Sequence, residues 1–121
     1  MSVQNMQYNK NSGVKTLPYY VYTDKQIFKA EQEKIFSRSW QFVGHISQAA
    51  NPGDFFACEV AGEPILVVRG KDGVLRAFYN VCPHRATKLE KQPNGNKKIL
   101  QCGYHGWTFQ LDGSLHRAPN F

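Results

Sequence analysis

The chain has 121 residues, enough for one domain with a modest core, and its 41% hydrophobic and 20% charged content excludes wholesale disorder. Fifteen basic against nine acidic residues leave a net charge of +6, but the basic residues are scattered with no run of five, which argues against a nucleic-acid partner. Residues 1–13 lack the apolar stretch of a secretory signal and the longest apolar run, Ile65 to Val68, is far too short to cross a bilayer, so no membrane partner and a cytoplasmic setting are expected.

Eight Phe, six Tyr and two Trp, punctuated by ten Gly and six Pro, favour short strands and turns over a helical bundle. Residues 1–16 are rich in Asn, Gln and Lys without an apolar period and read as a flexible lead. Residues 17–39 read as a helical segment. Thr23 stands as N-cap with Gln26 three positions on, as in a capping box, and Tyr22 and Ile27 occupy the places of a hydrophobic staple. Ile27, Phe28, Glu31, Ile35 and Phe36 supply a partly apolar face, and the helix is expected to fade near Ser37 to Ser39.

From residue 40 to 121 the period shortens. Trp40 to Ile46 reads as a strand and Asn51-Pro52-Gly53 as a turn. Strands are expected at Asp54 to Val60 and Pro64 to Arg69, joined around Ala61-Gly62-Glu63, then at Val74 to Tyr79 after the turn Gly70 to Gly73. Lys97 to Gln101 is a further short strand. Trp107 to Leu111 and Ser114 to His116 form a hairpin about Asp112-Gly113. The pattern is an all-β, antiparallel domain with one N-terminal α-helix.

Two irregular stretches interrupt the strands: Cys82-Pro83-His84-Arg85 and Cys102-Gly103-Tyr104-His105-Gly106-Trp107. Together they read C-x-H, 17 residues, then C-x-x-H, so each half offers one soft thiolate and one imidazole. An odd count of three cysteines without framework spacing speaks for a reducing compartment, where Cys beside His means metal or catalysis. A mononuclear Cys₂His₂ zinc site accepts the same donors. Its usual spacing, however, is a Cys pair followed by a His pair, and mixed pairs in both halves favour an iron–sulfur centre. Cys58 lies in an alternating strand without a partner nearby and reads as a core residue, while His45 and His116 read as structural or exposed.

These stretches, with Asn80-Val81 ahead of the first and Thr108-Phe109 and Asp112 to Leu115 after the second, resemble the Rieske [2Fe–2S] motif as it stands in the N-terminal part of Rieske non-haem iron ring-hydroxylating oxygenase α subunits. The resemblance covers most of the chain. It implies a small antiparallel β-sandwich carrying one [2Fe–2S] cluster, with Cys82 and Cys102 on one iron and His84 and His105 on the other. It implies electron transfer from a reductase or ferredoxin to a mononuclear iron in a separate catalytic domain, usually of a neighbouring subunit in a trimer. Such an iron needs two His and a carboxylate, and only His116 follows Trp107, so this chain is expected to carry electrons and not to hydroxylate. Two other readings stand beside this one: a stand-alone Rieske-type ferredoxin and a zinc-binding interaction module. Tyr104 and Trp107 would shield the centre from water, and Arg85, Lys88, Lys91, Lys97 and Lys98 would steer an acidic redox partner.

Two imidazoles in place of two thiolates leave the oxidised cluster formally neutral, which raises its potential to roughly −150 to +300 mV against about −400 mV for plant-type clusters. High-potential members of the family carry Ser and Tyr hydroxyls where this chain has Trp107 and Phe109, and an extra cysteine in each loop. Fewer hydrogen bonds to sulfur leave the reduced form less stabilised. A redox titration is expected to place the midpoint near the low end of that window; a value well above zero contradicts the reasoning.

Overall fold

The computed structural model describes residues 16–83, 87–103 and 106–119. The lead expected over 1–16 lies, except for Thr16, outside them. The chain divides into two compact units, Met1–Gln41 and Phe42–Phe121.

In the first unit, helix α1 (Tyr20–Thr23) is followed by α2 (Lys25–Lys34) and a 3-10 turn, Phe36–Arg38. The residue between the helices is extended, and its carboxylate accepts the N–H groups of Gln26 at 2.7 Å and Ile27 at 3.3 Å. That residue is Asp24. The expected N-cap at Thr23 is therefore displaced by one position, and the staple between Tyr22 and Ile27 loses its frame. A carboxylate serves two orphan donors and gains from the helix dipole, so it outcompetes the adjacent hydroxyl. The helix ends four residues earlier than Arg38 because the hydroxyls of Ser37 and Ser39 bond back to the carbonyls of Glu33 and Ile35 while the chain tightens. Of that partly apolar face Ile27 is buried, while Phe28 and Ile35 are more than half exposed.

The second unit is built from two antiparallel sheets. Strands β1 (Asp54–Val60), β2 (Glu63–Arg69), β3 (Leu75–Tyr79) and β4 (Asn94–Asn96) form a sheet in the order β3-β2-β1-β4. Strands β5 (Leu100–Gln101), β6 (Thr108–Phe109) and β7 (Leu115–Arg117) form the other in that order. Ala61 and Gly62 both take positive φ, so a two-residue turn sets Val60 opposite Glu63 and Phe55 opposite Val68. Asn51 to Asp54 is a turn closed by a 2.9 Å hydrogen bond, with Pro52 at its second position and Gly53 at φ +88° at its third. A Cβ at residue 53 would also lie 2.6 Å from the Lys97 carbonyl oxygen.

Alternation along β1 and β2 sends side chains to two cores. Phe55, Leu66 and Val68 meet Leu100, Phe109 and Leu111 between the sheets, with Cys82 and Cys102 in the same buried set. Phe56 and Val67 face the other way, under Ala49 of a 3-10 turn (Ile46–Ala49). At the far end the turn after β2 meets the β6–β7 hairpin. Arg76 grips Asp72 through two nitrogens at 3.1 and 2.7 Å, holding that carboxyl down at about 2, and its charge also lowers the Asp112 carboxyl. The larger cause at Asp112 is the hydrogen bond from Ser114.

The all-β class holds, with two differences in detail. Trp40 to Ile46 forms no ladder. Trp40 and Phe42 are fully exposed or nearly so, and at the end of the stretch His45 caps the 3-10 turn, its Nδ1 accepting the Ser47 N–H while Gln48 accepts the His45 N–H. The strand expected at Lys97 to Gln101 begins only at Leu100, while Asn94-Gly95-Asn96 pairs with β1 instead. The reason is local. Asn96 donates to Asp54 and to the Pro52 carbonyl, and Gly95 leaves room for the Phe55 ring, which a Cβ there would approach to 3.0 Å.

Asp24→Ala is expected to cost about 1 kcal/mol of helix stability and Thr23→Ala less than about 0.5 kcal/mol. Thermal unfolding followed by far-ultraviolet circular dichroism checks this, and the reverse order would return the cap to Thr23.

Candidate metal centre

The two cysteines of the paired motif end up in one place. Cys82 follows β3 by three residues and Cys102 follows β5 directly. They are 0% and 1% exposed and belong to the same buried cluster as Phe55, Leu66, Val68, Leu100, Phe109 and Leu111, with Leu89, Phe78 and Trp107 packed against it. A sulfur at either position is shielded from water by both sheets at once.

Both loops close in the same manner. The Cys82 N–H donates to the Thr87 carbonyl at 2.6 Å, and the Cys102 N–H donates to the Trp107 carbonyl at 2.7 Å. Each bond joins a cysteine to the residue five positions on, so each motif half is drawn into a six-residue loop. In the second loop the Gly106 N–H also donates to the Cys102 carbonyl at 3.1 Å, and Gly106 takes φ +71°, a conformation that favours glycine. His84, Arg85, Tyr104 and His105 lie outside the described residues. By chain position, both histidines fall between the ends of these pinched loops.

The stem of the first loop is held by a residue that the motif reading treated only as flanking sequence. Asn80 is fully buried; its Nδ2 donates to the Glu90 carbonyl and its Oδ1 accepts the Glu90 N–H, each at 2.8 Å. Its own carbonyl accepts the Leu89 N–H at 3.4 Å. Glu90 is 4% exposed, and its carboxylate takes the Gln92 N–H at 3.2 Å and the Lys97 ammonium at 2.8 Å. An Asn at a strand end just before a buried cysteine was the available signal. What the amide binds is ten residues away, beyond the reach of local pattern.

The remaining expectations sort plainly. Lys88, Lys91, Lys97 and Lys98 are all exposed, and Lys97 is paired with Glu90. Cys58 packs beside the second core, where burial pushes its thiol above the ordinary range and makes it a poorer thiolate. His116 is exposed and shares a 2.8 Å hydrogen bond with Gln110. Among the described residues no three His, Cys, Asp or Glu side chains converge as a metal site would require, and no helix is long and apolar enough to cross a membrane.

Residues 39–121 match the sequence profile of the Rieske [2Fe-2S] domain. The chain belongs to this family. The described donors fit the [2Fe–2S] cluster that a Rieske domain binds: two dry thiol positions on opposing loops, in a single apolar cluster that keeps the local dielectric low. The chain is 50% identical over 105 residues to the carnitine monooxygenase oxygenase subunit of Acinetobacter baumannii, covering 87% of this chain and 28% of that protein. It is 39% identical over 99 residues to the chlorobenzene dioxygenase α subunit of a Cupriavidus species, covering 82% and 22%. A solved quaternary ammonium Rieske monooxygenase, described for carnitine oxidation and inter-subunit electron transfer, superposes with a TM-score of 0.78 at 51% identity, over 85% of this chain and 28% of that one. The chain thus spans less than a third of the length of these relatives.

Prepared anaerobically with iron and sulfide, the Rieske domain is expected to hold two irons and two acid-labile sulfides per chain, checked by iron and sulfide analysis. One metal atom without sulfide contradicts the assignment.

Proposed function

We propose that this chain is the electron-transfer part of a Rieske oxygenase α subunit, with Cys82, His84, Cys102 and His105 as the cluster ligands. The observation that carries the reading is the convergence of two buried cysteines on identically closed loops within one core. When bound, the cluster supplies a one-electron carrier whose two histidine ligands raise its potential above that of four-thiolate centres. The protein's part is to hold and shield it. Leu100, Phe109 and the half-buried Trp107 wall the thiol side, and the pinched loops limit how far the donors can relax when the charge changes.

The electrons would come from a reductase or ferredoxin and leave for a mononuclear iron in a catalytic domain, in a neighbouring subunit where the assembly permits. The likeness to the quaternary ammonium monooxygenase supports that route and, at 51% identity, a quaternary ammonium substrate for the whole protein. The alignment with the oxygenase subunit runs over 105 residues, more than residues 39–121 contain, and so takes in the helical segment. That favours an oxygenase subunit over a stand-alone ferredoxin. We place 17–39 as its helical segment, 40–121 as its Rieske domain, and its setting in the cytoplasm.

Electron paramagnetic resonance of the anaerobically reduced protein tests the reading. A rhombic signal with an average g below that of four-thiolate clusters is expected, and His84→Ala or His105→Ala should abolish it. A signal and colour that survive either change remove that histidine from the ligand set.

A further inference from the structure

Two segments on either side of the first cysteine loop are tied by a side chain, and that tie continues to the second loop. Asn80 stands two residues before Cys82 and Glu90 three residues after Thr87. The Asn80 amide binds the Glu90 backbone in both directions, as a strand partner would, and the Leu89 N–H adds a third bond to the Asn80 carbonyl. On its other side Asn80 extends the β2–β3 ladder, its N–H donating to the Pro64 carbonyl at 2.8 Å. The loop is therefore clamped twice: at its mouth by the Cys82–Thr87 bond and at its root by Asn80.

The clamp does not end there. Glu90 passes its buried carboxylate to Lys97 at 2.8 Å, and the Lys97 N–H is fixed to the Gly53 carbonyl at 3.0 Å. Lys97 opens the short run of residues that reaches β5, at whose end Cys102 stands. A continuous set of bonds thus runs from the root of one cysteine loop to the approach of the other. A carboxylate 4% exposed is costly to bury, and pairing it with Lys97 and the Gln92 N–H meets that cost only while all three keep their places.

We propose that Asn80, acting through Glu90 and Lys97, is a positioning residue that sets the separation of the two cysteine loops and so the retention and geometry of the cluster. The inference rests on the reading of these loops as the cluster loops. Hydrogen-bonded partners behind metal ligands typically control affinity by about 10- to 100-fold. Asn80 is not one of the proposed ligands, so its effect is to be read in the cluster.

The test uses the full chain loaded with iron and sulfide, at a temperature well below unfolding. Bleaching of visible absorption by an iron chelator is timed, and the spectrum of the reduced protein is recorded. The reference is Phe56→Leu, a core change on the opposite face of the sheet, compared at equal loss of thermal stability. Asn80→Ala is expected to bleach about 10- to 100-fold faster than the parent, with a broadened resonance, while Phe56→Leu bleaches at the parent's rate. Asn80→Asp keeps the acceptor for the Glu90 N–H but sets a carboxylate oxygen against the Glu90 carbonyl, and is expected to bleach at least as fast as Asn80→Ala. Equal bleaching of Asn80→Ala and Phe56→Leu overturns the proposal. Should Asn80→Ala fail to fold, Glu90→Gln, which keeps the backbone bonds to Asn80 and removes the ion pair to Lys97, is judged against Phe56→Leu by the same criterion. A parent protein without the Rieske resonance defeats the functional reading instead, whatever the variants do.

Discussion

The site depends on one constraint: each candidate sulfur must be dry and yet sit on a chain segment that has left its sheet. Leaving a ladder strands backbone donors in an apolar interior, and an unmade bond there costs roughly 1–3 kcal/mol. The molecule meets this with the same bond twice, from the cysteine N–H to the carbonyl five residues on. Closing each loop on itself satisfies the backbone without a partner strand.

That closure makes sense of the surrounding architecture. A four-stranded and a three-stranded sheet contribute Phe55, Leu66 and Val68 on one side and Leu100 and Phe109 on the other to a single core, and the cysteines lie within it. The three-stranded sheet is small, with two strands of two residues, and would be weak alone. Its loop is steadied from outside, by Lys97 bound to Glu90 near the β5 end and by the Arg76 network at the hairpin end. Breaking the ion pair at Glu90 would leave a buried carboxylate uncompensated, which costs more than breaking an exposed pair; the Asp72–Arg76 pair, being largely exposed, contributes chiefly geometry.

Electrostatics and burial point to the same chemistry. A centre with two neutral imidazole ligands carries little net charge when oxidised, so an apolar core tolerates it better than a four-thiolate centre. Trp107, packed against the cysteine cluster, supplies volume and excludes water there. The exposed cations Lys88, Lys91 and Lys98 lie along the chain between the two loops, while Lys97, of the same group, has its charge paired with the buried Glu90. Charge counted along a sequence thus overstates the charge available at a surface.

Strands with their own alternation and their own turns were legible in the amino-acid order. Asp54 to Val60 is bounded by Asn51-Pro52-Gly53 and by a pair of residues able to take positive φ, and turn chemistry of that kind acts over four residues. That Cys82 and Cys102 belong together was legible for the same reason, since candidate metal donors advertise themselves by type and spacing. Trp40 to Ile46 misled because alternation reports a side chain's preference and says nothing of a partner edge. Asn94 to Asn96 was invisible because Asn and Gly make poor strands; β1 recruits them through Asp54 and the Phe55 ring. Thr23 and Asp24 differ by one position, and only backbone geometry chooses between adjacent caps. Residue order alone determined the class of fold and the family, because these follow from short-range chemistry. Tertiary structure decided that the two cysteines share one core and that Asn80, Glu90 and Lys97 link their loops, because those contacts join residues that only the folded chain brings together.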